Sequence, residues 1–402
     1  MKRIFYVIIA LILCCSVFTG CTEKIEGFEA CLVPLENLEV PQEATIIALG
    51  EATHGNVEFQ QMKLDVFRIL VEKNGVHAFA LEADFGGCAV FNDYIQGKGG
   101  TADEAVSALG FRIYRTAQMT ELAEWMKEYN STAAEEDKLR FYGFDMQRKA
   151  HSIQGLLDFY GKVGAAPDER LAAAPVSEDA ELDVEAVKAV LSDLEANRET
   201  YTAASSESEY AYACRYAECL VQGVDINSSI ADYAVKRDRY MTENVKWILD
   251  RERLLSEGKV MLSGHNGHVA RKELNYMTMG RLLSDEFGGE YYVIGTDFYN
   301  TECNMPNGDG RANQSFCSKS PLAAQLKGLD NVMYFSFETA KSSPAISEII
   351  SSPVKMGSLG ESYSVTMKIM PSSYRIDGIP TEFYDDMILV YNASPTEISM
   401  AE

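Results

Sequence analysis

The sequence predicts an α/β fold, with three α/β/α layers, a mostly parallel central sheet and a large helical insertion. Short apolar runs rich in β-branched and aromatic residues alternate along the chain with longer segments of helical periodicity. Strands that alternate with helices become parallel neighbours through right-handed crossover connections, which place helices on both faces of the sheet. One long stretch contains no convincing strand, and this stretch is the predicted insertion.

The elements follow from these patterns in chain order. Strands are expected at residues 44–49, 77–81, 139–144, 259–263 and 291–298, with weaker signals at 332–337 and 387–391. Residues 56–74 carry apolar side chains on one helical face and are followed by Gly75, which is typical of a helix end. A further helix is expected at residues 269–287, and the helical insertion at about residues 151–257.

The N-terminus has the pattern of a targeting segment. A positive start, Met1-Lys2-Arg3, precedes an apolar core at residues 4–17 that is short for a membrane span. Residues 18–21 resemble a bacterial lipobox, which predicts a lipoprotein signal peptide at residues 1–20 and a lipid on Cys21. An uncleaved anchor helix is the alternative interpretation.

Both interpretations place the remaining chain outside the cytoplasmic membrane, held to it through a lipid anchor at Cys21 or through the N-terminal helix. Residues 21–43 are expected to form a tether and entry segment, and residues 44–402 the α/β domain. The Pro residues of the first segment, Pro34 and Pro41, punctuate it as in a connecting stretch.

The composition excludes some partners. The chain has 60 acidic and 36 basic residues, a formal charge of −24. Nucleic acid is not an expected partner, because affinity for phosphate backbones rests on counterion release by Lys and Arg. No C-x-x-C spacing occurs among the cysteines, so a structural zinc site is not expected. Cys303 and Cys317 flank a Gly- and Asn-rich loop and are the first candidates for a disulfide.

Acidic and histidine residues stand where the predicted strands end. In open α/β sheets the ligand crevice lies outside the carboxyl ends of the strands, so these residues should converge. They are Glu51 and His54 after the first strand, Glu82 after the second, Asp145 after the third, and His265 and His268 after the fourth. Each alone could be a helix cap or a satisfied buried group; their coincidence at four strand ends favours a site. Gly50 and Gly55 bracket the first of these turns and are expected to accommodate unusual backbone angles.

These residues suit general base catalysis. Of the five histidines, three lie in two of these turns, and His77 and His151 are interpreted as structural. A carboxylate can fix the tautomer of an imidazole that takes a proton from water near neutral pH, and a second imidazole can stabilise the developing oxygen charge. The same residues could instead hold a divalent metal, and their spacing does not decide between the two.

Several motifs together resemble the erythromycin esterase family. They are Gly50-Glu51-Ala52-Thr53-His54-Gly55, Leu81-Glu82-Ala83, residues 141–147, Arg237-Asp238 with Met241, Asn244 and Trp247, and Gly264-His265-Asn266-Gly267-His268. The resemblance covers most of residues 44–300. It implies an α/β/α fold with a helical insertion and a hydrolase that opens a macrolide lactone ester with activated water, with no metal or cofactor.

The resemblance also implies roles for individual residues. His54 would be the general base, Glu51 and Glu82 would orient it or the water, and His265 and His268 would complete the catalytic set. Three further residues, Lys63, Asp145 and Arg237, are assigned to binding a small-molecule ester or lactone substrate. Residues 114–118 depart from the family pattern, which usually has a Trp and acidic residues there.

Two functions of other classes stay open. The wider fold group resembles haem-binding surface lipoproteins, in which exposed histidines ligate iron. Some relatives are associated with cell-surface polysaccharide assembly. Haem binding predicts a Soret band that is lost in His54→Ala or His268→Ala, whereas an esterase adds one water to its substrate.

Overall fold

The computed structural model describes residues 24–273, 275–308 and 310–399. The predicted signal peptide and the lipidation residue Cys21 lie outside the described residues. Eleven strands are present in the described part of the chain: β1 Leu32–Val33, β2 Ile46–Glu51, β3 Ala78–Asp84, β4 Arg140–Asp145, β5 Val260–His265, β6 Tyr291–Asn307, β7 Gly310–Cys317, β8 Val332–Phe335, β9 Val354–Gly357, β10 Arg375–Gly378 and β11 Asp386–Ala393.

Helices separate most of the strands. In chain order the α-helices of the described residues are α1 Val57–Asn74, α2 Phe85–Ile95, α3 Ala102–Ala108, α4 Ala117–Thr132, α5 Ala150–Val163, α6 Glu169–Ala172, α7 Val184–Ala196, α8 Arg198–Ala204, α9 Glu207–Ile226, α10 Tyr233–Leu255, α11 Asn266–Val269, α12 Met279–Phe287, α13 Phe337–Lys341, α14 Pro344–Ile350 and α15 Pro380–Phe383. The predicted α/β class is confirmed.

One mixed, mostly parallel sheet organises the molecule. Its strand order is β1-β8-β11-β6-β2-β5-β3-β4, with β7 paired to β6, and β9 and β10 form a separate ladder. The strands from β11 to β4 run parallel to one another, and β1, β7 and β8 supply the antiparallel pairs. The carboxyl ends of β2, β5, β3 and β4 therefore meet side by side at one edge.

Alternation along the strands produces the three layers. Ile47 and Leu49 of β2 pack into one apolar cluster with α1 and α4, whereas Ile46 and Ala48 pack into another with α10 and α12. Successive side chains of a strand point to opposite faces, so each buried strand serves both cores. The helices between β4 and β5 add a third cluster of their own, built mainly from α5, α7 and α9.

The segment that the sequence predicts as a tether and entry stretch packs against the rest of the fold from residue 24 onward. Residues 24–43 pack against the body: Phe28 and Leu38 are fully buried, and Leu32 of β1 pairs with Phe335 of β8. The main-chain N–H of Ile25 donates to Gln325 Oε1 at 2.9 Å. Within the described residues this stretch is therefore part of the fold.

The helix predicted at residues 269–287 is wrong in its first half. Only α11 and α12 are helical, and the described residues between them, 270–273 and 275–278, are not. Arg271 interrupts the helix because its N–H donates to Phe383 O at 3.0 Å and its Nε to Asp385 Oδ2 at 2.9 Å. The charged run that follows, Lys272 and Glu273, also offers no apolar face to bury.

The candidate disulfide between Cys303 and Cys317 is not formed. β6 and β7 are a hairpin in which Cys303 pairs with Gln314 and Cys317 with Asn300. The two cysteines are thus three residues out of register, about 10 Å along the strands, whereas a disulfide requires Cα atoms within about 7 Å.

Candidate active site

Polar side chains from four neighbouring strands meet at the carboxyl edge of the sheet, as the sequence predicted. Glu51 and His265 are the last residues of β2 and β5 and are partners in the parallel register. Glu82 lies near the end of β3 and Asp145 ends β4. The His54 and His265 ring centroids are 5.2 Å apart, and those of His265 and His268 are 6.4 Å apart. All of the predicted catalytic residues are brought together.

The two glycines of the first turn serve close approach rather than unusual backbone angles. Neither Gly50 nor Gly55 is in the left-handed region. A Cβ on Gly50 would collide with the Asn266 side chain, and one on Gly55 with the main chain at Asn304. Asn266 in turn donates to Thr296 O at 2.8 Å, so Gly50 lets this side chain fasten the β5–α11 turn against β6.

Glu51 fixes His54 through one ring nitrogen. Its Oε2 lies 3.0 Å from His54 Nδ1, and its Oε1 accepts from Lys63 Nζ at 3.0 Å and Gln60 Nε2 at 3.1 Å. Burial alone would raise the pKa of Glu51, but the Lys63 and His54 charges hold it below its usual value. Glu51 is therefore an ionised acceptor, which places the proton of neutral His54 on Nδ1 and the lone pair on Nε2.

His54 is poised as a base. Gln60 Nε2 also donates to His54 O at 2.9 Å, which holds the turn, and the residue is only 9% exposed. Burial lowers the pKa of His54, but Glu51, with smaller contributions from Glu82 and Glu361, more than offsets this effect, so the net shift is upward. A carboxylate behind Nδ1 strengthens the opposite nitrogen as a proton acceptor and stabilises the imidazolium that forms.

Arg237 of α10 binds the acidic residues at the other two strand ends. Its Nη2 donates to Glu82 Oε1 and to Asp145 Oδ2, both at 2.7 Å. Burial disfavours the guanidinium charge, yet these two carboxylates keep the pKa of Arg237 well above its ordinary value. Glu82 Oε2 accepts the His265 N–H at 2.7 Å, which connects β3 to the β5 turn.

His268 is held at both ring nitrogens. Nδ1 lies 2.9 Å and 3.0 Å from the two oxygens of Asp238, and Nε2 lies 3.1 Å from Arg237 Nη1. Because a guanidinium can only donate, Nε2 accepts and Nδ1 carries the proton in this geometry. Burial lowers the pKa of His268, but Glu82 and Asp238 raise it by more.

His265 presents a hydrogen-bond donor with no acceptor. Its Nδ1 accepts the Gly267 N–H at 3.1 Å, so the proton of the neutral ring is on Nε2. This Nε2 is buried and has no hydrogen-bond partner within the described residues. Burial and the neighbouring His54 lower the pKa of His265 to about 3, so the ring stays neutral. A buried donor of this kind is rare and indicates a place for a ligand oxygen.

The structure revises the residues assigned to substrate binding. Lys63 lies on the buried face of its helix, one turn from Phe59 and from Phe67; it is only 1% exposed, and its ammonium is bound to Glu51. Asp145 has no exposed surface and is occupied by Arg237 and by the Met146 N–H. Lys63 and Asp145 are therefore internal partners of other site residues, and neither offers a free group to a substrate.

Several site residues were missed from the sequence. Gln60 bonds both Glu51 and the main chain at His54, Asp238 holds His268, and Tyr276 donates to Asp238 Oδ2 at 3.0 Å. Tyr114, in the stretch that departs from the family pattern, donates its hydroxyl to Glu82 O at 2.9 Å. The sequence offers two signals for this group: Gln60 lies one turn from Lys63 on α1, facing the Glu51 turn, and Asp238, to which the sequence assigns no role, stands in the Arg237-Asp238 motif.

The donor geometry bears on the metal alternative. Among the described residues, no group of three or more His, Cys, Asp or Glu side chains is arranged to hold a metal ion. His268 has both nitrogens engaged, and His265 directs Nδ1 at a main-chain N–H.

No helix in the part of the chain that the structure describes is long and apolar enough to cross a membrane.

The fold and this edge of the sheet define an α/β protein with a histidine–carboxylate site at its strand ends. The model of the erythromycin esterase family matches residues 71–393, and the chain belongs to that family. Membership supports a hydrolase. Erythromycin esterase type II of Escherichia coli is 24% identical over 298 residues, which cover 63% of this chain and 69% of the relative.

Solved structures share the fold. A Bacillus cereus protein superposes with a TM-score of 0.76 at 21% identity, covering 93% of this chain and 98% of that one. An erythromycin esterase mutant in its open conformation gives a TM-score of 0.62 at 14% identity, covering 90% of this chain and 93% of the other. At these identities the likeness establishes the α/β architecture alone.

Proposed function

We propose that this protein hydrolyses a carboxylic ester or lactone with water activated by His54. One observation carries the proposal: within the described part of the chain, neither the Nε2 lone pair of His54, whose ring is held by Glu51, nor the buried Nε2–H of the adjacent His265 has a hydrogen-bond partner. The ring centroids are 5.2 Å apart, so one small reacting group can contact both rings. A base next to an oxyanion donor is what water attack on a carbonyl requires.

The reaction follows from these two groups. His54 Nε2 takes a proton from water as the oxygen attacks the carbonyl carbon, and Glu51 stabilises the resulting imidazolium through Nδ1–H. The carbonyl oxygen becomes an oxyanion that accepts from His265 Nε2–H. When the C–O bond to the alkoxide breaks, the imidazolium of His54 returns the proton to the leaving oxygen, which leaves a carboxylic acid and an alcohol.

The remaining charged residues position these groups. Lys63 keeps Glu51 ionised, and Glu82 holds the main chain of His265. Arg237 binds Glu82, and Asp145 binds Arg237. Arg237 is the substrate-binding candidate that keeps some exposure, with 12% of its side chain accessible. We assign it a second role, in which it faces the substrate with its remaining donor capacity.

The resemblance and the named relative make a macrolide the first substrate to test. Purified protein incubated with erythromycin is expected to convert it to a product heavier by one water, and simple aryl esters and lactones extend the panel. His54→Ala should abolish the conversion, whereas His151→Ala, a half-buried histidine on α5 outside the site, should not. Parallel reactions with a chelator separate a metal-independent reaction from a metal-dependent one.

The outcomes are distinct. Hydrolysis that survives in His54→Ala contradicts the general-base assignment. Hydrolysis of no member of the panel, together with a Soret band on haemin titration that disappears in His54→Ala, favours the ligand-binding alternative instead.

We further propose that the protein is extracytoplasmic and anchored by lipid at Cys21. The support is the sequence pattern of residues 1–21 alone. Cells fed a fatty acid with a clickable label should transfer it to the wild-type protein and not to Cys21→Ser, and the variant should leave the membrane fraction. Equal labelling of both forms contradicts the anchor.

A further inference from the structure

Asp238 gathers four hydrogen bonds at a fully buried carboxylate. It lies in the first turns of α10, next to Arg237, and has no exposed surface. His268 Nδ1 donates to both of its oxygens, Tyr276 OH donates to Oδ2 at 3.0 Å, and the Met279 N–H donates to Oδ1 at 2.8 Å. One carboxylate thus ties His268 to the non-helical segment that ends at α12.

The neighbouring residue on the same helix holds the other side of that ring. Arg237 Nη1–H needs an acceptor lone pair at His268 Nε2. Asp238 keeps that lone pair available, because it accepts a hydrogen bond from Nδ1–H and so holds the ring proton on Nδ1. If the proton moved to Nε2, two donors would face each other at 3.1 Å. The nearest alternative acceptor for that proton, Glu82 Oε1, is 3.5 Å away.

A continuous series of contacts runs from Asp238 to the oxyanion donor. Asp238 fixes the tautomer of His268, and His268 accepts from Arg237. Arg237 binds Glu82 Oε1 at 2.7 Å, and Glu82 Oε2 accepts the His265 N–H at 2.7 Å. We propose that Asp238 is a positioning residue for the hydrolysis, acting through His268 and Arg237 on the placement of Glu82 and His265; this inference rests on the proposed function.

The test compares the effect of Asp238→Asn in the wild-type protein with its effect in a His268→Gln variant. Asp238→Asn leaves one oxygen for three donors, so the clamp on His268 loosens. We expect kcat to fall about 100-fold with little change in KM, as for other carboxylates that orient a working histidine, and Asp238→Glu to recover part of the loss. In a His268→Gln background the same Asp238→Asn change should cost less than about threefold, because its route of action is already gone.

Two controls distinguish positioning from stability. Asp225 of α9 is a carboxylate outside the site that binds Lys236 and Tyr240 of α10, the helix that carries Asp238. Asp225→Asn should therefore leave kcat unchanged. Thermal unfolding of each variant shows whether the loss of rate follows a loss of fold. Equal costs of Asp238→Asn in both backgrounds, or full activity in Asp238→Asn, would overturn the proposal.

A measurement without turnover separates this inference from the proposed function. In ¹⁵N NMR of the imidazoles, wild-type His268 should be the Nδ1–H tautomer, and that population should fall in Asp238→Asn. If the wild type hydrolyses nothing but shows this change, the proposed function fails and the clamp stands. If the tautomer is unaltered, the positioning role is wrong whatever the activity.

Discussion

His54 and His268 occupy the same edge of one sheet, and the difference between them that matters most for catalysis is at Nε2. Each ring places Nδ1 on a buried carboxylate, Glu51 for His54 and Asp238 for His268. The Nε2 of His268 accepts from Arg237, whereas within the described residues no group hydrogen-bonds the Nε2 of His54. Carboxylates raise the pKa of both rings, and the availability of Nε2 separates a working base from a fixed ring.

The difference extends to the two sides of the site. The β2–α1 side balances one carboxylate, Glu51, with one ammonium, Lys63, and leaves an imidazole free to accept a proton. The other side sets one guanidinium against Glu82 and Asp145. We interpret the first side as the reactive one and the second as a charged frame that holds His265 in place.

The largest expected effect distinguishes the two rings directly. His54→Gln removes the base and should lower kcat about 1000-fold, within the range that general base catalysis contributes. His268→Gln removes a positioning contact and should cost about 10- to 100-fold. Steady-state kinetics on one ester, with His151→Gln as the control, measure both. Equal losses for the two variants would remove the distinction.

The next effect concerns the contribution of Arg237, with its partners Glu82 and Asp145, to the stability of the fold. Arg237→Met leaves Glu82 and Asp145 buried without their cation, which should lower the free energy of unfolding by about 3–5 kcal/mol. Urea unfolding measures it. Arg170→Met is the matched control, because Arg170 also binds two carboxylates, Asp168 and Asp183, but at the surface. A change of similar size in both variants contradicts the buried frame.

The pH dependence tests the reactive side. His54 works when neutral, and Glu51 raises its pKa, so kcat/KM should fall as the pH drops through a value above the ordinary pKa of about 6.5. Glu51→Gln removes the carboxylate that stabilises the imidazolium and therefore lowers the pKa of His54. The acid limb should move to lower pH while the maximal rate falls. An acid limb that stays in place excludes His54 as its origin.

The smallest expected effect comes from a residue that only supports the base. Gln60→Leu removes the hydrogen bonds of this side chain to the Glu51 carboxylate, to His54 O and from Lys63, and it should lower kcat/KM about five- to tenfold. Gln61→Leu provides the comparison, because Gln61 is its neighbour on α1 and bonds Asp65 instead. The ratio of the two kcat/KM values reports what the contacts of Gln60 with Glu51, His54 and Lys63 contribute together.

The sequence predicted what depends on strand ends and failed where contacts are long-range. Glu51, His54 and His265 follow apolar runs that are legible as strands, and parallel strands bring their ends together. Asp238 lies on an amphipathic helix far along the chain from His268, and nothing in helical periodicity indicates which group its carboxylate meets. Tyr276 lies in a segment predicted as helix, whose path is set by contacts of Arg271 with Phe383 and Asp385.

The glycines show the same limit. The sequence places Gly50 and Gly55 correctly in a tight turn, but it attributes the need for glycine there to unusual backbone angles. The structure shows instead that a side chain there would collide with Asn266 or with the main chain at Asn304. These contacts join segments that are far apart in the sequence, so only the folded structure shows that glycine is needed at these positions.

Chemical rescue shows whether His54 supplies a base and nothing else. His54→Gly opens a space where the ring stood, and free imidazole added to the assay can occupy it. Imidazole should restore hydrolysis in His54→Gly in proportion to its neutral form, and it should not do so in His268→Gly, where the missing ring only positions other residues. No rescue in the folded His54→Gly protein, or equal rescue in both variants, would contradict the assignment of His54 as the general base.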